Sequence, residues 1–112
     1  MATQNKRVQV KRWSGGQHPT QSNISRMMKK EGLRPYSWQN TPNYRYAVRS
    51  HNYDKVLYVV NGSLELTLPD SNQRAIIKKG DRVDIPAGIR HGTNVGNSGV
   101  ECVEAAIVRS KR

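Results

Sequence analysis

Two histidines in the second half of the chain, His51 and His91, are the residues whose chemistry is easiest to interpret. Neutral imidazole binds metal ions through a ring nitrogen, and paired imidazoles commonly begin a site for iron, zinc, nickel, copper or manganese. The third histidine, His18, lies in a Gly-Gly-Gln-His-Pro loop, and we expect it to be exposed. Two histidines alone are a weak signal, so their meaning depends on the elements that position them.

The residues before His91 predict a strand that stops abruptly. Gly80-Asp81 predicts a tight turn, and Val83 and Ile85 alternate with polar residues as on one face of a strand. Pro86-Ala87-Gly88 then ends the strand, because proline cannot donate to a ladder and glycine accepts unusual dihedral angles. We therefore expect His91 just past a strand end, where its side chain can point into a pocket.

From Tyr44 onward the sequence predicts many short strands separated by Gly, Asn and Pro turns. This spacing indicates an antiparallel barrel or sandwich, which can bring both imidazoles to one end of its interior. Asn61-Gly62 predicts a hairpin turn between two of the strands. Gly96-Asn97-Ser98-Gly99 predicts a second separation, between the last two strands.

A short helix is predicted ahead of the barrel. Thr20 or Ser22 can cap its N-terminus, and we expect it to run to about Glu31. Three apolar residues share one face at spacings of three and four and are expected to fill the core: Ile24, Met27 and Met28.

The pattern G-x5-P-x-G-x2-H, from Gly80 to His91, resembles the second sequence signature of the cupin family. The first cupin signature usually reads H-x-H-x3-E-x6-G, and Gly62 fits its closing glycine. Residues 44–107 therefore resemble a small cupin barrel. The resemblance implies an all-β fold, namely the cupin-type double-stranded β-helix or jelly-roll barrel, with a short N-terminal helix. It also implies one divalent transition metal held by the histidines and the glutamate of the two signatures.

The resemblance divides the chain into four parts. Residues 1–19 are expected to form a basic arm and an edge strand, and residues 20–43 a helix and an irregular lead-in. Residues 44–108 are expected to form the cupin barrel, and residues 109–112 a basic tail. Small cupins often pair and the N-terminal strand could add to a neighbour's sheet, so a homodimer is also expected.

The first signature departs from the family pattern in its ligands. His51 matches the second histidine, but Arg49 takes the place of the first, and Lys55 stands where the family has glutamate. Arginine stays protonated and cannot donate a lone pair to a metal, and lysine replaces a negative charge by a positive one. At 4–6 Å, each of these charges opposes a monocation by roughly 3–4 kcal/mol at an effective dielectric near 20. We therefore expect an altered, weak metal site near His51 and His91.

Three residues could still complete a metal site. Asp54 could replace the glutamate if Lys55 turned outward, although Asp54 also suits a turn at a strand end. Tyr53 could offer a phenolate. Glu104 could point inward and complete a triad of two histidines and one carboxylate, or it could lie on the surface of an edge strand.

The alternative to a metal site is an anion pocket. Arg49 and Lys55 beside His51 and His91 would bind a carboxylate, sulfate or phosphate, and the arginine would supply bidentate geometry. In this interpretation the histidines orient the ligand and no metal is needed.

Composition narrows the class of protein. A chain of 112 residues predicts one domain, and its net charge of +11 lies mostly in residues 1–50, which hold ten lysines and arginines but a single acid, Glu31. Such a field attracts anions, but no nucleic-acid motif accompanies it. Cys102 is the only cysteine, which favours a cytoplasmic location, and the sequence has no run of about 18 apolar residues that would predict a membrane span.

Three functions follow from these observations. The first is a small-molecule-binding cupin that acts as a sensor, store or carrier, with an anionic ligand as one possibility. The second is a metal-dependent cupin enzyme, of oxygenase or isomerase type, that uses His51, His91 and an unconventional third ligand. The third is a basic nucleic-acid-associated protein in which the barrel is a scaffold.

Overall fold

The computed structural model describes residues 7–107 of the chain. The predicted basic tail at 109–112 and most of the polar N-terminal end lie outside these residues. The described part is mostly antiparallel β structure. Its elements are β1 (Gln9–Lys11), α1 (Gln21–Lys30), β2 (Tyr36–Asn40), β3 (Arg45–Arg49), β4 (Asp54–Leu68), a single 3-10 turn (Pro69–Ser71), β5 (Gln73–Lys78), β6 (Arg82–Ile85) and β7 (His91–Ile107).

Two long strands, β4 and β7, form the centre of the sheet and pair along nearly their whole length, from Asp54 opposite Ile107 to Thr67 opposite Gly92. The order of strands is β1-β6-β4-β7-β2, with β3 also pairing with β7 and β5 with β4. The first half of β4 lies beside β6 and its second half beside β5. The all-β prediction is confirmed at this level.

The predicted turn at Asn61-Gly62 is wrong, because both residues lie inside β4. The register with β7 shifts on either side of this point, and Gly62 has a φ of +76°. A left-handed glycine bends the strand without reversing it, so both halves of β4 remain paired with β7. The predicted separation at Gly96-Asn97-Ser98-Gly99 is wrong for a similar reason, because β7 continues through it.

The sheet buries apolar side chains on both faces. One cluster is built around Leu57, Val59 and Leu66 together with Val83 and Ile85, and it forms the interior next to the cavity described below. The second cluster contains Val56, Tyr58 and Val60 from the opposite face of β4, together with residues of α1. Because neighbouring residues of β4 alternate between the clusters, this part of the strand is apolar on both faces.

Helix α1 covers the outer face of the sheet. Thr20 is the N-cap, and its side chain accepts a hydrogen bond from the Asn23 N–H. Of the two predicted caps, Thr20 and Ser22, the first is therefore confirmed. Ile24 and Met28 are fully buried, but Met27 is 38% exposed, so its prediction as a core residue is wrong. Ile24 and Met28, four positions apart, share the buried face of the helix, and Met27 lies to the side of that face.

The predicted edge strand near the N-terminus is β1, which pairs with β6 of its own chain. Asp81 links the segment that follows β1 to the sheet. Its buried carboxylate accepts hydrogen bonds from the backbone N–H groups of Trp13 and Lys78, at 2.9 Å each, and from the Arg12 guanidinium. Although burial pushes the pKa of Asp81 upward, these hydrogen bonds hold it below its ordinary value. The homodimer stays a prediction.

Replacing Asp81 by alanine is expected to lower the free energy of unfolding by about 2 kcal/mol, because two N–H groups lose their acceptor. Urea unfolding followed by circular dichroism measures this change. The exposed Asp70, paired with Arg90, is the matched control, and Asp70→Ala should change stability by less than about 0.5 kcal/mol. Equal effects of the two substitutions would contradict the assigned role of Asp81.

Within the described residues, no helix is long and apolar enough to cross a membrane. The cytoplasmic location stays a prediction.

Candidate functional site

A cavity of about 340 Å³ lies on the inner face of the sheet, lined by residues of β2, β3, β4, β6 and β7 and of the β3–β4 connection. Its apolar floor is contributed by β4 and β6 and consists of Leu57, Leu64, Leu66, Val83 and Ile85. The chemically active side chains lie above this floor. They include both histidines that the sequence singled out.

The structure brings His51 and His91 together, with ring centroids 5.4 Å apart and ring planes at 51°. His91 begins β7 directly after the predicted break and pairs across the sheet with Arg49 of β3. The His91 Nδ1 lies 2.9 Å from the carbonyl oxygen of Ile89. Because a carbonyl can only accept, Nδ1 carries the proton, and Nε2 of the neutral ring therefore has a free lone pair.

His51 has an unsatisfied nitrogen. Its ring stacks on Tyr53 with a centroid distance of 4.8 Å, and both side chains line the cavity. Within the described part of the chain, the His51 Nε2 is buried and has no hydrogen-bond partner. Leaving a buried polar atom unpaired is unfavourable by about 1–3 kcal/mol, so this nitrogen is a natural contact for a bound molecule.

Burial lowers the pKa of both imidazoles below the ordinary value, and the positive charges of Lys55 and Arg49 lower it further. For His51 the neighbouring His91 acts in the same direction. Both rings are therefore predominantly neutral at neutral pH. They are available as hydrogen-bonding groups rather than as fixed charges.

The lowered histidine pKa values predict that stability falls in acid. The unfolded chain has histidine pKa values of about 6.5, so below that pH it binds more protons than the folded chain and is favoured. The urea midpoint should therefore decrease as the pH falls from about 6.5 to 5.5. A His51→Asn/His91→Asn double variant should show a flatter profile of stability against pH than the wild type. A double variant with an unchanged slope would contradict the prediction.

Glu104 points inward and is only 5% exposed. Its two oxygens accept hydrogen bonds from the Tyr36 hydroxyl at 2.7 Å and from the Trp38 Nε1 at 2.8 Å, and the Lys55 Nζ lies 3.5 Å away. Tyr36 lies directly opposite Glu104 in the β2–β7 register. Burial raises the pKa of Tyr36, and the bond to Glu104 raises it further, so the phenol remains a proton donor.

Sequence reasoning missed Tyr36 and Trp38 as site residues. The spacing of Tyr36 and Trp38 was a signal, because residues two apart in a strand share a face. What the sequence did not contain was the partner of that strand. Pairing with β7 is what places both aromatic donors against Glu104.

Lys55 faces the cavity, with a side chain that is 16% exposed. Arg49 also lines the cavity and occupies an exposed position of β3. Asp54 does not come into the site with them, because neighbouring strand residues point to opposite faces. Its Oδ1 instead accepts a hydrogen bond from the Ala87 N–H at 2.8 Å.

The residues present do not fit the usual cupin metal. Among residues 7–107, no group of three or more His, Cys, Asp and Glu side chains is arranged to hold a metal ion. The oxygens of Glu104 are already bonded to Tyr36 and Trp38, and the Lys55 ammonium lies beside them. Metal binding by His51 and His91 stays a prediction.

Comparison with known proteins identifies the fold. No known family model matches the chain, and no curated protein matches it. Solved structures do match the chain. A DUF861 family protein from Thermotoga maritima is 19% identical, with a TM-score of 0.60, over 90% of this chain and 100% of that chain. A cupin-2 domain protein from Shewanella frigidimarina is 18% identical, with a TM-score of 0.56, over 65% and 68% of the two chains.

A polyketide cyclase from Streptomyces resistomycificus is 25% identical, with a TM-score of 0.60, over 70% of this chain and 57% of that chain. At such identities the likeness establishes the fold. The chain has the fold of a small cupin domain, as the two sequence signatures implied.

Proposed function

We propose that this chain is a small-molecule-binding protein of cupin type, with its sheet wrapped as a jelly roll around a cavity that receives an organic anion. One observation carries the proposal. Arg49 and Lys55 line the cavity together with two imidazoles, and the single carboxylate in the lining, Glu104, is already held by Tyr36 and Trp38. With neutral histidines, the formal charge of the lining is positive by one, since two cations face one anion.

Electrostatics favour an anion in this position. At about 4 Å and an effective dielectric near 20, a carboxylate gains roughly 4 kcal/mol from each cation before its own desolvation is subtracted. Arg49 can offer two parallel N–H groups to a carboxylate, and the Lys55 ammonium can approach as a point charge. Lys55 already contacts Glu104 at 3.5 Å, which is long for a charged hydrogen bond and leaves its other protons available.

The imidazoles would orient the ligand. The buried His51 Nε2 gains the partner that it lacks when a ligand oxygen reaches it. Anion binding would also raise the lowered pKa of both histidines, so binding takes up protons and should strengthen as the pH falls towards 6 while the ligand remains ionised.

Removing the cations is expected to abolish most of the affinity. Benzoate and cyclohexanecarboxylate serve as carboxylate probes, with benzamide and cyclohexanecarboxamide as uncharged counterparts, in isothermal titration calorimetry. At least one carboxylate should bind more tightly than its amide, and Lys55→Met should weaken its binding about tenfold or more, which is about 1.4 kcal/mol. Arg49→Met should also weaken carboxylate binding, and because Arg49 is exposed, this substitution does not change the core.

The matched controls are Lys78→Met on β5 and Arg26→Met on α1, both at exposed positions away from the cavity. They should leave carboxylate binding unchanged. Equal binding of acids and amides, or equal loss in the control variants, would overturn the proposal. Circular dichroism confirms that each variant is folded.

The two imidazoles at 5.4 Å favour a metal-dependent cupin enzyme as the second candidate. Metal analysis of protein purified without an affinity tag separates the two functions. Stoichiometric iron, zinc, manganese, nickel or copper, lost in a His51→Ala/His91→Ala double variant, would overturn the metal-free binding site and support the enzyme.

A further inference from the structure

The apolar lining of the cavity is unevenly distributed. The floor from β4 and β6 is aliphatic, whereas β2 and β3 contribute three aromatic residues among their six lining residues: Tyr36, Trp38 and Tyr46. Both β2 and β3 pair with β7 on the side away from β4. The cavity therefore has an aromatic wall and an aliphatic wall, separated by β7.

The aromatic side chains are held in place by their polar atoms. The Trp38 Nε1 donates to Glu104, and the Tyr46 hydroxyl accepts a hydrogen bond from the Asn40 Nδ2 at 2.7 Å. The two rings meet edge to face, with centroids 5.8 Å apart and an angle of 73°. Because the Trp38 Nε1 and the Tyr46 hydroxyl already have hydrogen-bond partners, both rings are held in place beside the cavity. A ligand would therefore not lose free energy by ordering these side chains.

A further aromatic surface lies beside the cations. Tyr53 stacks on His51, and both line the cavity together with Arg49 and Lys55. A ligand whose carboxylate contacts these cations would therefore place its body between aromatic rings and the aliphatic floor. Aromatic pairs in offset or edge-to-face geometry strengthen binding by roughly two- to tenfold each beyond area burial.

We infer that the ligand is a planar aromatic monocarboxylate of one or two rings, an inference that rests on the proposed function. The single positive formal charge of the lining balances a monocarboxylate rather than a phosphate dianion. The volume of about 340 Å³ lies at the lower end of the roughly 300–1,000 Å³ of small-molecule pockets, which suits a compact ring system.

The experiment compares each aromatic acid with its saturated counterpart by isothermal titration calorimetry at neutral pH. The pairs are benzoate with cyclohexanecarboxylate and 2-naphthoate with trans-decahydro-2-naphthoate, and 2-naphthyl phosphate tests the preferred charge. We expect the better aromatic acid to bind about tenfold more tightly than its saturated partner, and more tightly than the phosphate dianion.

Tyr46→Leu and Tyr53→Leu should each reduce the ratio of aromatic to saturated affinity severalfold and leave the saturated acid nearly unchanged. A merely structural role would weaken both acids equally. Val48→Ala, at an exposed position of β3 outside the cavity lining, is the control and should keep the ratio. The two tyrosine positions are independent, so failure of one variant to fold leaves the other as a test.

The two proposals fail in different ways. Equal affinity for aromatic and saturated acids would overturn the aromatic inference and leave the anion site standing. A ratio unchanged in both tyrosine variants, or tighter binding of the phosphate, would also overturn it. Absence of binding by every carboxylate would remove the proposed function itself.

Discussion

Replacing Glu104 by alanine is expected to lower the free energy of unfolding by about 4 kcal/mol. The substitution removes the acceptor of two donors, the Tyr36 hydroxyl and the Trp38 Nε1, and leaves the mostly buried Lys55 ammonium without its counter-ion. Breaking a buried ion pair by removing one partner is more harmful than its net contribution suggests, because the remaining charge is already desolvated. Urea unfolding at neutral pH measures the change.

Glu65 on β4 provides the matched control for this prediction. It forms an ion pair with Arg74, whose side chain is 72% exposed, at 3.6 Å. Glu65→Ala should therefore change stability by less than about 1 kcal/mol. A loss at Glu104 no larger than at Glu65 would show that Glu104 does not organise the interior.

Replacing Gly62 by alanine is expected to destabilise the fold by about 3 kcal/mol, from left-handed backbone strain together with steric overlap. Gly62 has a φ of +76°, and an added Cβ would lie 2.0 Å from the carbonyl oxygen of Gly99 on the neighbouring strand. That contact is with backbone, so no side-chain rotation can relieve it. The two central strands would have to separate where both of them bend.

The control for Gly62 is Gly16, where an added Cβ has nothing within 4 Å. Gly16→Ala should leave the thermal unfolding midpoint close to that of the wild type. If Gly62→Ala were equally well tolerated, the close approach of β4 and β7 at this point would be wrong.

The fold was predictable because its signals are local. Alternating apolar residues and the break at Pro86-Ala87-Gly88 indicated antiparallel β structure, and His91, which follows that break, lines the cavity. The helix cap at Thr20 was also predictable from the sequence. These features depend on a few neighbouring residues and on the chain's own stereochemistry.

The remaining features depend on which strands become neighbours. Asn61-Gly62 has the composition of a hairpin turn, and only the continued pairing of both halves of β4 with β7 makes it a bend. The same is true of Glu104, whose inward orientation is reinforced by two aromatic donors on a strand 68 and 66 positions away. Local sequence could not distinguish an edge carboxylate from the centre of a buried network.

The network around Glu104 shows where the lysine of the altered signature lies. Lys55, standing where a metal-binding cupin has glutamate, lies inside the cavity and next to the carboxylate of β7. A positive charge there opposes a cation and attracts an anion. Under the proposed function, the cavity keeps two imidazoles and receives an anion in place of a metal ion.

A crystal structure of the protein grown with 2-naphthoate tests the central claim most directly. We predict the carboxylate inside the cavity, with its oxygens within hydrogen-bond distance of the Arg49 guanidinium, the Lys55 Nζ and the His51 Nε2. A metal ion bonded to His51 and His91, or a cavity that stays free of the acid at saturating concentration, would contradict the account.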